Sequence, residues 1–195
     1  MSAGGGLLLP KNRTLHFAKQ VEQSTILELT KAIVDIVEDD EYLKKLYSIH
    51  GLTYEPQPIK IYIDSYGGQV YQCMGLLGVM ERSTTPIHTI VTGVAMSCGF
   101  LITLGGHKRF AYPTSTLLYH QVSSTSAGTL KDIDDDVIEL KRLQKWVEDL
   151  TARRTHIKKA RLKEVYKEKL DWYIPADEAL ELGVIDEILQ WIASF

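Results

Sequence analysis

Apolar positions along this chain recur with two different periods, and the switches between them mark its elements. Ile59-Lys60-Ile61-Tyr62-Ile63 alternates like a half-buried strand. Gly67-Gly68 then punctuates the chain before a helical stretch over residues 70–82. The unit repeats: residues 87–92 read as a second strand broken by Gly93, and a small-residue turn leads through Ser97-Cys98-Gly99 into a short apolar helix ending near Leu104. Two strand-turn-helix units in succession predict a parallel, buried sheet with helices packed on it, an α/β class. Residues 108–112 and 116–120 predict two more short strands around a turn at Pro113.

Upstream, residues 1–12 are Gly-rich and unpatterned, which predicts a flexible arm, with residues 13–195 as a single domain. Thr25 with Glu28 predicts a capping box for a helix carrying Ile26, Leu29, Ile33 and Ile36, and the charged residues 38–58 read as a surface excursion with a helical turn. Downstream, Thr129 and Asp132 predict a second capping box. Ile133, Val137, Leu140, Leu143, Val147 and Leu150 carry one stripe over a helix at about 129–153. At 1.5 Å per residue this helix spans roughly 35 Å, the diameter of a small domain. Part of it therefore protrudes, and the simplest cover for its stripe is another copy of the chain. A helix near residues 162–169, one started by Pro175 and closed by Gly183, and a last strand at Val184-Ile185 complete the pattern.

Composition narrows the function. The 195 residues are 45% apolar and 24% charged, enough for one core and too apolar for disorder. A formal charge of -3 supplies no attraction to nucleic acid or an anionic membrane. Cys73 and Cys98 make neither a disulfide framework nor a complete zinc site, so a reducing, cytoplasmic location is expected. Leu7-Leu8-Leu9 is too short for a signal-peptide core, and no stretch approaches the length of a membrane span.

In open parallel sheets ligands gather beyond the carboxyl ends of strands, where residues 64–68 and 93–99 form neighbouring glycine-marked turns. Ser97 sits in the second, ahead of a helix whose first N–H groups point outward unpaired. Gly68 lets a backbone N–H approach from the other side. Taken alone, residues 93–99 read most simply as close strand-helix packing, and Ala95 stands where a G-x-S-x-G elbow needs glycine. A serine nucleophile needs a base and an orienting carboxylate. Among six histidines, His16, His50, His107 and His156 read as surface and His88 as a packed or half-exposed ring. His120 ends a strand before the Ser-, Thr- and Gly-rich residues 123–129. Asp132, Asp134, Asp135 and Asp136 read as a solvated helix face, whereas Asp171 adjoins the apolar Trp172-Tyr173-Ile174-Pro175, where a carboxylate needs a partner.

Four stretches together resemble the proteolytic subunit of the Clp protease (ClpP). They are Ile63-Asp64-Ser65-Tyr66-Gly67-Gly68, Gly93-Val94-Ala95-Met96-Ser97-Cys98-Gly99, Tyr119-His120-Gln121, and the segment 171–179 continuing through Gly183-Val184-Ile185-Asp186. They follow the family's order at nearly its spacing. The resemblance implies a crotonase-like repeated ββα spiral with a protruding handle helix, assembled as two stacked seven-membered rings. It assigns Ser97 as nucleophile, His120 as base, Asp171 as acid, and the backbone N–H groups of Gly68 and Cys98 as oxyanion donors. It implies cleavage of unfolded polypeptide inside a closed homo-oligomeric chamber, with an AAA+ unfoldase as partner. No cofactor or metal is implied for this chain, ATP being used only by that partner. The sequence departs from the family pattern in a short segment before the first strand, a longer stretch at 38–58, Val122 and Tyr66 where proline is frequent, and fewer glycines over 123–128. Two other readings stay open: a non-catalytic ring subunit that builds or regulates a mixed complex, and an acyl-CoA enzyme of the crotonase fold using the same two N–H donors.

Overall fold

Alternation over residues 59–63 translates directly into a sheet with one covered face. In the computed structural model, which describes residues 12–190, Ile59, Ile61 and Ile63 of β2 (Ile59–Ser65) are fully buried while Lys60 and Asp64 are exposed. The expected arm, apart from Asn12, lies outside the described residues. β1 (Thr14–Phe17) pairs in parallel with β2, and β2 with β3 (Ile87–Met96). Their buried side is covered by α1 (Gln23–Ile49), α2 (Val70–Arg82) and α3 (Cys98–Leu104). The sheet is thus buried on one face here rather than on both. The open face holds a cavity of about 560 Å³, lined among others by Tyr62, His88, Ile90 and Phe110. His88 is half-buried there, its ring tilted against Phe110 at 5.5 Å.

β3 is the strand at which the sheet branches. Its first half pairs with β4 (Lys108–Ala111), and its second half, from Val94, pairs with β5 (Thr116–Tyr119). Gly93 does not end the strand as the sequence suggests. Two extra residues of β3 bulge against β2 between Ile63 and Ser65, and Asp64 fills the gap by accepting the Val94 N–H at 2.9 Å. A Cβ at Gly93 would lie 2.6 Å from that carboxylate. β5 then pairs antiparallel with β6 (Trp172–Pro175), an apolar run whose strand character the sequence reading did not assign. Pro175 ends β6 and begins α6 (Ala176–Glu181), while β7 (Glu187–Ile188) pairs with β4. Val184 and Ile185, expected as the last strand, instead wrap the end of α6, both donating to the Ala179 carbonyl.

α1 is longer than the sequence pattern suggests and starts earlier. Its cap is Glu22, whose N–H is received by the Thr25 hydroxyl at 3.2 Å, so the box lies at 22–25 rather than at 25–28. The helix runs through the charged residues to Ile49 because Asp40 continues the buried face of Leu29, Ile33 and Ile36. Asp40 pairs with Arg13 and accepts hydrogen bonds from Tyr54 and Thr85, both at 2.6 Å. The protruding helix is α4 (Leu130–Arg154), with the Thr129–Asp132 capping box as expected. Its second half buries Leu143, Val147 and Leu150, whereas its first turns leave Leu130 77% and Ile138 65% exposed. α5 (Lys159–Glu168) follows, beginning before Leu162. The chain is therefore an α/β fold whose described residues form seven strands, mostly parallel, and six helices.

Candidate active site

Three adjacent strand ends carry the three side chains singled out in the sequence. β3 pairs with β5 through Met96 and Leu118, so Ser97 leaves β3 just beyond the last rung, its N–H bonded to the Leu118 carbonyl at 3.0 Å. β5 pairs with β6 through Tyr119 and Trp172, so the next rung sets His120 opposite Asp171. The His120 Nδ1 lies 3.5 Å from Asp171 Oδ1, longer than a good hydrogen bond. The imidazole is 30% exposed and the carboxylate 61%. Ser97 and His120 line one cleft with Gly68, Cys98, Phe100, Leu101 and Val122. Among the described residues no hydrogen bond joins the Ser97 hydroxyl to His120, and Asp171 approaches His120 without lining the cleft.

Backbone strain fixes the serine. Ser97 has φ 54° and ψ -119° at the N-cap of α3, a conformation costing an L-residue about 1–3 kcal/mol. Gly67 makes room for it, and Gly68 makes room for Val21. A Cβ on Gly67 (φ 97°) would sit 2.7 Å from both the Ser97 Cβ and the Met96 carbonyl oxygen, and one on Gly68 (φ 146°) 2.3 Å from the Val21 carbonyl oxygen. Val21 bridges to Gly68 through the Gly67 carbonyl and the Gln69 N–H, at 2.8 and 2.7 Å. That parallel pattern turns the N–H of Gly68 itself away from Val21. Cys98, the first residue of α3, has an N–H with no acceptor within its helix. Two amides of the expected pair thus border the same cleft as Ser97.

Two further residues border the site, Tyr119 from the Tyr119-His120-Gln121 stretch and Gln144 from outside all four motifs. Tyr119 lines the cleft with its hydroxyl buried, and burial raises its pKa above the usual phenol range. Gln144 is buried on α4 and accepts the Val122 N–H at 2.9 Å, tying the loop after His120 to that helix. The signal for Gln144 was its polar side chain between Leu143 and Val147 on an apolar stripe.

Comparison with known proteins matches residues 11–191 to the Clp protease family model. The chain belongs to the Clp protease family. Among curated relatives, the ATP-dependent Clp protease proteolytic subunit of Deinococcus radiodurans is 30% identical over 135 residues, 68% of this chain and 65% of that protein. The subunit of the same name from Bacteroides thetaiotaomicron is 33% identical over 134 residues, 67% of this chain and 60% of its own length. Against these two, the chain spans a little under two thirds of the relative. The ATP-dependent Clp protease proteolytic subunit 1 of Tropheryma whipplei is 30% identical over 187 residues, 91% of this chain and 88% of the relative. Family membership and the α/β architecture agree with the expectation drawn from the four motifs. No helix among the described residues is long and apolar enough to cross a membrane.

Proposed function

We propose that this chain is a serine endopeptidase subunit that cuts unfolded polypeptide by a Ser97-His120-Asp171 triad. The observation that carries the reading is the convergence of β3, β5 and β6, whose ends set Ser97 and His120 in one cleft with Gly68 and Cys98 and place Asp171 opposite His120. In this mechanism His120 takes the Ser97 proton as the hydroxyl oxygen bonds to a peptide carbonyl carbon. Asp171 orients the imidazole and favours its cation. The N–H groups of Gly68 and Cys98 donate to the oxyanion, each donor being worth on the order of 10² to 10³ in rate. His120 returns the proton to the leaving amine as the peptide C–N bond breaks. Water, deprotonated by the same imidazole, then releases the acyl group and regenerates Ser97. This chemistry needs no cofactor from the chain itself.

The reading extends to assembly and partner. The exposed apolar residues of the first half of α4, Leu130, Ile133, Val137 and Ile138, favour a homo-oligomer that covers them, and two stacked heptameric rings are the family arrangement we propose. Such a closed, cytoplasmic chamber requires an ATPase to deliver unfolded chains, as the relatives' name, ATP-dependent, implies for them. The test is hydrolysis of a fluorogenic peptide and of an unfolded protein by wild type and Ser97→Ala, with and without candidate ATPases. Turnover confined to the wild type is expected. Equal turnover by both, or none from folded oligomer with any partner, refutes the reading. The second outcome would favour a non-catalytic ring subunit, a reading supported by the 3.5 Å His120–Asp171 separation.

A further inference from the structure

Cys73 and Cys98 are the two cysteines of the chain, and the fold brings them together against the nucleophile. Cys73 lies in α2 and Cys98 opens α3, and both are free, buried thiols. The Cys73 thiol donates to the Cys98 carbonyl at 3.6 Å, and the Cys98 thiol donates to the Gly68 carbonyl at 3.2 Å. The two thiols thus meet around the backbone at the start of α3, Cys73 on the Cys98 carbonyl and Cys98 turned toward Gly68. Their surroundings differ. Cys98 borders the cleft that holds Ser97, whereas Cys73 is sealed in the core.

That difference divides the labour of oxidation. Hydrogen bonding with Cys73 holds the Cys98 thiol below its ordinary range against the opposing effect of burial. Hydrogen bonding with Cys98, and then burial, pushes Cys73 up. The thiolate is the reactive form, so the group facing the cleft is also the one more readily ionised. Cys73 is placed to resolve the product. A packed pair of thiols elsewhere in the core would be inert, but this pair adjoins a solvent-connected cleft and a strained serine.

We infer that Cys73 and Cys98 are a modification site: a small peroxide entering the cleft converts them to a disulfide that arrests hydrolysis at Ser97. In the first step the Cys98 thiolate bonds to one peroxide oxygen, the O–O bond breaks, and Cys98 becomes a sulfenic acid while hydroxide leaves and takes up the proton Cys98 lost. In the second, the Cys73 sulfur displaces that oxygen. The S–S bond forms, the S–O bond breaks, and the hydroxyl departs as water with the Cys73 proton. Sulfur gives up two electrons in all, and one peroxide becomes two waters. A disulfide holds its sulfurs near 2.05 Å, well inside the contact distance of two unbonded sulfurs. Closing that distance pulls the start of α3 toward α2 and removes the Cys98 bond to Gly68. The Cys98 amide and Ser97 then leave the positions the oxyanion and acyl transfer require. Arrest of hydrolysis rests on the peptidase reading, whereas the disulfide does not.

The experiment treats reduced, assembled protein with hydrogen peroxide, blocks remaining thiols with iodoacetamide, and measures intact mass, tryptic peptides and peptide hydrolysis. The expected product is lighter by two hydrogens, resists alkylation, and yields the peptide 61–82 linked to the peptide 83–108. Hydrolysis falls about a hundredfold, the effect of roughly an ångström of misplacement, and returns with dithiothreitol. Cys73→Ala keeps the activity of the reduced protein, and its Cys98 yields a sulfenic acid that dimedone traps. Two alkylated cysteines in peroxide-treated, folded wild type would overturn the proposal, as would bridged protein that hydrolyses at the reduced rate. If reduced wild type hydrolyses nothing, the peptidase reading fails, and the linked peptide still decides the disulfide.

Discussion

Gly67→Ala puts the strained turn to the sharpest test. The added Cβ would lie 2.7 Å from the Ser97 Cβ and from the Met96 carbonyl oxygen. Carbon atoms settle at about 3.5 Å or more, so relief requires the nucleophile to move by about 0.8 Å. The φ of 97° adds about 1–3 kcal/mol of strain for any residue with a side chain. A displacement near 1 Å at a reacting atom costs on the order of 10² in rate. The expected result is a folded protein whose fluorophosphonate reaction slows about a hundredfold. Gly51→Ala supplies the control, because Gly51 has φ 69° but open space around its Cβ position. It should lose comparable stability in thermal denaturation and keep the wild-type labelling rate. Labelling of Gly67→Ala within about twofold of wild type would refute the claim that contact with Gly67 fixes Ser97.

Other consequences concern the base, the buried ion pair and the protruding helix. Asp171→Asn should lower kcat for a small peptide by roughly 10² to 10⁴ with KM little changed, measured by steady-state kinetics. Burial raises the Asp40 carboxyl, but hydrogen bonds from Arg13, Thr85 and Tyr54 outweigh it and hold the group below its ordinary 3.8. A depressed carboxylate stabilises the fold above pH 3.8 and loses that contribution as pH falls through its lower folded value. Asp40→Asn should cost about 3 kcal/mol at neutral pH and flatten the acid limb of a Tm-against-pH curve. Leu130→Glu combined with Ile138→Glu, both at exposed sites, should leave the fold's melting intact while sedimentation reports a smaller particle.

The parts of the fold readable in the sequence were those where local signals agreed. In α4 a capping box, a continuous apolar stripe and a length above average all point one way. α1 was cut short because Asp40 occupies a core-facing position, and its burial depends on Arg13, Tyr54 and Thr85 elsewhere in the chain. β6 was missed because four residues ending in Pro175 give too little alternation, and proline is tolerated there only at a strand end. That miss hid the most informative pairing at the site. The register of β5 on β6, which sets His120 opposite Asp171, is a property of two strands far apart in sequence. From residue types alone His120 and Asp171 were separate candidates, and the family resemblance joined them before the register supplied the reason. The bulge at Gly93 was equally nonlocal, since the Asp64 side chain that fills it belongs to the neighbouring strand.

The central claim is that Ser97 is a nucleophile activated by its neighbours, and covalent labelling of assembled protein addresses it most directly. Wild type treated with a fluorophosphonate should carry one adduct per chain, located by mass spectrometry to Ser97 within the peptide 83–108. His120→Ala should slow its formation by orders of magnitude. An adduct on any other residue, or an assembled, folded wild type that takes up no label, would contradict the account.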